Sequence, residues 1–153
     1  MKIRIEMEPT LSDDEIIIRC SKVDESIVKI ENAITGICAA KEKFTFYQGD
    51  TEYYLPLEKI LFFETEGNQI YAHTAKDVYQ TKYRLYELEK MLPDDFIRVS
   101  KSTILNVHHV FSIKRNLTAS SEVQFEGSHK QVYVSRNYYK QLKKRLEEKR
   151  LSR

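Results

Sequence analysis

Glycine, cysteine and long apolar runs are all scarce in this sequence, and each scarcity excludes something. The 153 residues hold four glycines, too few and too scattered for a Gly-rich phosphate cradle. The two cysteines, Cys20 and Cys38, have no Cys-x-x-Cys spacing. A disulfide framework is not expected, and the two cysteines are read as reduced, buried thiols. The longest apolar runs, such as Ile60–Phe63, hold four residues, far below the roughly 18 of a membrane span. The start, MKIRIEMEP, lacks the apolar stretch and cleavage site of a signal peptide, so the expected compartment is the cytoplasm.

Catalytic and metal-binding patterns are missing as well. There is no HExxH, no Cys/His ligand spacing and no Gly-x-Ser-x-Gly. His108 and His109 are adjacent, and on a strand they would point to opposite faces and could not chelate one metal together. With His73 and His129 they are read as solvated or satisfied. The pairs Asp13-Asp14 and Asp94-Asp95 lie beside a turn or a proline, where helix capping accounts for them. The sequence therefore predicts no enzyme, no metal, no cofactor and no small-molecule substrate.

What is present is a soluble-type composition, 41% hydrophobic and 31% charged, with length for one domain and a small extension. The net charge of +2 hides an asymmetry. Residues 1–96 carry 12 Lys+Arg against 19 Asp+Glu, and residues 97–153 carry 13 against 4. An acidic front and a basic back suggest that the back meets something anionic. A solvated basic helix would give the same imbalance, since Lys140, Lys143, Lys144, Arg145, Lys149 and Arg150 cluster there.

Hydrophobic periodicity sets the organisation. Lys2–Glu8 alternates, with Ile3, Ile5 and Met7 on one side, and Glu15–Cys20 is a second β-branched run. Ile27, Ile30, Ile34 and Ile37 then form a helical stripe within Asp24–Ala40, with Asp24 as N-cap. Residues 1–43 are thus expected to be a small strand-strand-helix unit. From Phe44 short aromatic strands take over, with hairpins turning at Gln48-Gly49-Asp50 and Glu66-Gly67-Asn68. Tyr83–Leu92 has helical spacing and stops at Pro93. Five more short strands follow, then a helix over Asn137–Arg150. Residues 148–153 are a basic tail.

Polar residues recur in turns beside these strands. Asn68 is in one turn, Lys101 and Ser102 interrupt FIRVSKSTILNVHHV, and Ser135-Arg136-Asn137 opens the last helix. Such residues read base edges or hold phosphates; they also make ordinary turns and caps. Composition leaves both readings open.

KILFFETEGNQIYAHT, LYELEKMLPDDFIRVSKSTILNVHHVFSI and QVYVSRNYYKQLKKRL, taken in order, resemble the LytTR DNA-binding domain over residues 44–147. The resemblance implies an α+β, mostly β fold: an elongated arrangement of small antiparallel sheets with one internal helix and a C-terminal helix. It implies a sequence-specific transcriptional regulator of bacteria that reaches successive major grooves of double-stranded DNA through loops. By position, Asn68, Lys101 and Arg136 would face bases, and Gln69, Ser102, Ser135 and Asn137 would face phosphates. Family members often carry His or another polar residue at the first base-facing position and Asn or His at the second. Asn68 and Lys101 stand there in this chain, so base preference is not carried over. Residues 1–43 are shorter than a receiver domain, and phosphorylation control is not expected. Receiver-less relatives are often accompanied by a small membrane protein that restrains them. The isoleucine stripe is read either as cover for the chain's own sheet or as a dimer or partner surface. The alternative function is a protein-interaction module that kept the fold and lost the DNA; loop cations such as Lys101 and Arg136 argue against such decay.

Overall fold

The computed structural model describes residues 1–12, 15–41 and 44–151. Helix α1 spans Glu25–Lys41. Its start is set by Asp24, whose carboxylate accepts from the backbone N–H of Ser26 and Ile27, both at 3.1 Å. Ten strands follow, with two further helices. They are β1 (Thr45–Gln48), β2 (Thr51–Tyr54), β3 (Phe62–Glu66), β4 (Gln69–His73), β5 (Val78–Thr81), α2 (Leu85–Met91), β6 (Phe96–Arg98), β7 (Thr103–Asn106), β8 (Val110–Lys114), β9 (Ser121–Phe125), β10 (Gln131–Val134) and α3 (Arg136–Leu151). Among the described residues, no helix is long and apolar enough to cross a membrane.

The strands form two antiparallel sheets, a seven-stranded one ordered β2-β1-β5-β4-β3-β7-β6 and a three-stranded one ordered β10-β9-β8. Two hairpins are set by glycine. Gly49 and Gly67, with φ of 55° and 60°, are each the first residue of a two-residue turn, the position where a II′ turn needs positive φ.

The central strands β3 and β7 bury apolar side chains on both faces, and each face has its own core. Phe63 lies opposite Ile104 in the ladder and joins Phe46, Ala72, Leu85 and Leu88 on the α2 side. Phe62 lies opposite Leu105 and joins Val123, Phe125, Val134 and Leu142 under the small sheet and α3. The run Ile60–Phe63 therefore serves both cores at once. The buried Asn106 fastens this region: its Nδ2 donates to the Ile60 carbonyl at 3.1 Å and its Oδ1 accepts from His108 N–H at 3.0 Å.

The front unit departs from expectation. Neither Lys2–Glu8 nor Glu15–Cys20 is a strand among the described residues. Ile3, Ile5 and Met7 are 91%, 86% and 93% exposed. One register is disfavoured by charge: a hairpin that set Ile3, Ile5 and Met7 opposite Cys20, Ile18 and Ile16 would set Arg4 against Arg19 and Glu8 against Glu15, and like charges directly opposite destabilise a ladder. The expected helix does form. Yet Ile27, Ile30 and Ile34 are only half-buried, Ile37 is exposed, and neither core includes any of the four. Between α1 and the β-rich module lies a cleft of about 690 Å³, with Gly36 and Ile37 on one side and Leu57, Pro93 and Phe96 on the other.

Three smaller expectations also change. Cys20 is exposed rather than buried, and the Cys38 side chain lies outside the described residues, as do Asp13-Asp14 altogether. His108 and His109 sit in a 3₁₀ turn, not a strand, and still go to different partners, Asp95 at 3.1 Å and the Glu58 carbonyl. Asp94-Asp95 does not cap a helix. Asp95 instead pairs with His108 and with Lys149 at 2.8 Å, while the Asp94 carbonyl accepts from Arg145. These contacts tie α3 to the turn after α2.

Candidate nucleic-acid interface

Three loops meet at one end of the large sheet, and backbone hydrogen bonds hold them together. The β3–β4 turn carries Asn68. The loop between β6 and β7 carries Lys101 and Ser102. The joint between β10 and α3 carries Ser135, Arg136 and Asn137. Because β3 pairs with β7 through Glu64 and Thr103, the first two loops emerge side by side, and Thr65 N–H donates to the Ser102 carbonyl at 2.8 Å. Ser135 N–H donates to the Val99 carbonyl at 2.9 Å, which brings the third loop against the second. The other end of β6 and β7, at Phe96 and Asn106, faces the α1 cleft.

Asn68, Gln69, Lys101, Ser102, Arg136 and Asn137 are all exposed on this rim, and Ser135 is half-buried. Gln69 is not wholly free, since its carbonyl oxygen accepts from Gln80 Nε2; its own amide N–H₂ remains the outward donor type. The Ser135 carbonyl accepts from Tyr138 and Tyr139 N–H at 3.0 and 3.2 Å, so α3 begins at the rim. A helix N-terminus presents free N–H groups and favours an anion. Farther along α3, Leu142 is anchored in the core while Lys140, Lys143 and Lys144 are exposed.

The middle loop is braced by a residue that sequence reasoning did not single out as part of the site. Arg98 Nε donates to the Ser100 carbonyl at 2.7 Å, a terminal nitrogen donates to the Lys101 carbonyl, and the other reaches Glu89 on α2 at 3.0 Å. Ser102 N–H donates to Ser100 Oγ at 3.2 Å. The planar fork of arginine suits such multiple acceptance, which a lysine could not reproduce. The loop thus turns its own carbonyls inward and leaves the Lys101 side chain outward. An arginine at the end of an otherwise apolar strand, two residues before the polar Ser100-Lys101-Ser102, was the available signal.

Close behind the rim, carboxylates temper the positive charge. Burial, and then the Glu66 charge, hold the Glu64 carboxyl above its usual range. His73, 3.5 Å from Glu64 and stacked on Phe62 with ring centres 4.2 Å apart, is driven down to about 4 by burial and by the Lys130 charge. Burial outweighs the neighbouring carboxyl of Glu64, and the ring is neutral at neutral pH. Among the described residues no cluster of three or more His, Cys, Asp or Glu is placed to hold a metal.

Comparison with known proteins is consistent across sequence and structure. The family model of the LytTr DNA-binding domain matches residues 50–147. An uncharacterized HTH-type transcriptional regulator of Staphylococcus aureus (strain NCTC 8325 / PS 47) is 26% identical over 146 residues, covering 95% of this chain and 98% of that protein. Its counterpart in strain MRSA252 is 25% identical over the same length, with the same coverage. Among solved structures, a LytTr DNA-binding domain from Bacillus cereus superposes with a TM-score of 0.63 at 28% identity, covering 69% of this chain and 97% of that one.

Proposed function

The chain belongs to the LytTr DNA-binding domain family, a DNA-binding transcriptional regulator by that membership, and we propose that it reads major-groove base edges through the three loops of the rim. Asn68, Lys101 and Arg136 are the base-facing residues. Gln69, Ser102, Ser135 and Asn137 face the phosphates, with the N-terminus of α3 adding its free N–H groups. The observation that carries this reading is the convergence of the loops, tied through Thr65–Ser102 and Ser135–Val99. Base reading needs side chains on a fixed backbone, and strands mount each loop. A recognition helix fits less well: α2 and α3 are separated in the chain by five strands, and α2 spans only seven residues.

The protein works in the cytoplasm as a homodimer on DNA, and residues 1–43 carry association rather than a phosphorylated receiver. Two linked rims raise affinity for paired sites through effective concentration, without any new contact. A small membrane protein that restrains the regulator, implied by the family resemblance, would act on the same front unit. The deciding experiment is selection of bound duplexes from random DNA with the purified protein. A shared short motif, occurring in pairs at fixed spacing, is the expected result. Recovery of unenriched DNA would favour the alternative, an interaction module that has lost its DNA.

A further inference from the structure

We infer that two copies of this chain join through an antiparallel pairing of residues 2–8, with the two-fold axis at Ile5. The inference rests on the proposed dimer and specifies its interface. Lys2 through Glu8 reads K-I-R-I-E-M-E, so one face carries Lys2, Arg4, Glu6 and Glu8 and the other Ile3, Ile5 and Met7. The Arg4–Glu6 pair at 2.9 Å places those two side chains on the same side. The apolar side is bare in the single chain, with Ile3, Ile5 and Met7 almost fully exposed. Such a face in a soluble protein marks an association surface.

The charge order selects the partner, the direction and the register. With Ile5 opposite Ile5, Arg4 of each copy faces Glu6 of the other, Lys2 faces Glu8, and Ile3 faces Met7. Every directly opposed pair is then either apolar with apolar or cation with anion, the combinations that stabilise cross-strand neighbours. A shift by one residue would mix the faces. A shift by two would bring Arg4 against Arg4 or Glu6 against Glu6. Parallel alignment in register would oppose like charges at all four polar positions. Against the chain's own second run, the register that pairs all three apolar residues sets Arg4 against Arg19. A second copy in the antiparallel register resolves all of these conflicts. It gives an isologous contact in which each copy offers the same surface. Pro9 and the turn closed by Leu11 N–H on the Glu8 carbonyl, at 3.1 Å, end the strand on each side. A two-stranded ribbon alone is marginal. The Ile16–Ile18 run and the α1 stripe follow directly in the chain and supply flanking cover.

The test is charge exchange in the full-length protein, read by sedimentation. Two variants are made, K2E/R4E and E6K/E8K. Each alone opposes like charges at four contacts across the axis, and self-association should weaken by about tenfold or more. Mixed in equal amounts, they should form a one-to-one heterodimer as strong as the parent pair. All four residues are exposed, so an unchanged thermal melt confirms that the folded module is intact. If the parent is dimeric and both variants remain so, this register is wrong while the dimer stands. If the parent is monomeric throughout, the dimer itself is lost. Cross-linking gives an independent reading. With both native cysteines replaced by serine, Ile5→Cys should oxidise to a covalent dimer, because directly opposed Cα atoms lie about 4.5–5.5 Å apart. Lys2→Cys should not, since its own copy lies roughly 20 Å away along the ribbon. Cross-linking of both would mean parallel pairing and overturn the inference.

Discussion

The guanidinium of Arg98 donates to the carbonyl of Lys101, so the residue proposed to meet a base is held by its backbone while its side chain stays exposed. The same group holds Ser100 and reaches Glu89 on α2, which links the loop to one wall of the fold. Arg98→Ala removes all three bonds. Affinity for the selected site should fall by about 1–3 kcal/mol, the scale of hydrogen bonds to a charged group, with random duplex affected less. Arg98→Lys should recover only part of it. Titration of both duplexes with each variant checks this, and equal losses on the two would mark Arg98 as a phosphate contact instead.

Arg136→Ala and Lys101→Ala should each cost about 1–3 kcal/mol on the selected site and relax preference at one base pair apiece. Repeating the selection with each variant shows which position is lost. If both variants enrich the parent's motif unchanged, the assignment of base-facing loops is wrong.

Salt offers a check that does not depend on sequence. Affinity should decline with a log–log slope of roughly −0.9 for each phosphate neutralised. A flat response between low and moderate salt would leave the exposed lysines of α3 as solvated surface.

His73 makes stability depend on acidity. Its folded pKa, about 4, lies below the ordinary histidine value of 6.5 because burial and Lys130 disfavour the charged ring. The unfolded chain therefore binds the extra proton first. The contribution is complete above the unfolded value and is lost as pH falls from about 6.5 toward 4. At about 1.4 kcal/mol per pKa unit the loss is on the order of 2–3 kcal/mol. Urea titrations at pH 7 and 4.5 should show it, and His73→Gln should flatten the difference.

Asn106→Leu should destabilise by about 1–3 kcal/mol, because the Ile60 carbonyl and His108 N–H lose their buried partner. Asn106 lies at the far end of β7 from the rim, so base preference should be unchanged. Denaturant midpoints and a repeat of the selection separate the two effects.

The β-rich module was legible because its signals are local. Gly49 and Gly67 sit where two-residue turns need them, and Leu85, Leu88 and Leu142 fall on helical stripes that end in the cores. That Asn68, Lys101 and Arg136 stand exposed in loops beside strands was legible from their turn context; what they face is the proposal. The bracing by Arg98 was not, because it depends on carbonyl directions that only the closed loop fixes. Asp94-Asp95 was misread for a related reason: its partners, His108, Arg145 and Lys149, come from distant parts of the chain. The front strands failed on pairing. Alternation marks Lys2–Glu8 as strand-like, but a strand needs a neighbour, and the register within the chain that pairs all three of its apolar residues brings like charges together.

The strands at the borders of both sheets bear on solubility. β6 has three residues, β2 and β10 have four, and β8 is broken by a register shift between Val110 and Ser112. Short or kinked borders make poor templates for another chain. These borders therefore discourage open-ended stacking, and the alternating segment 2–8 is another place to add a strand. If that place is a segment used up when two copies meet, growth stops at two, and the protein can be abundant in a cell without seeding fibres.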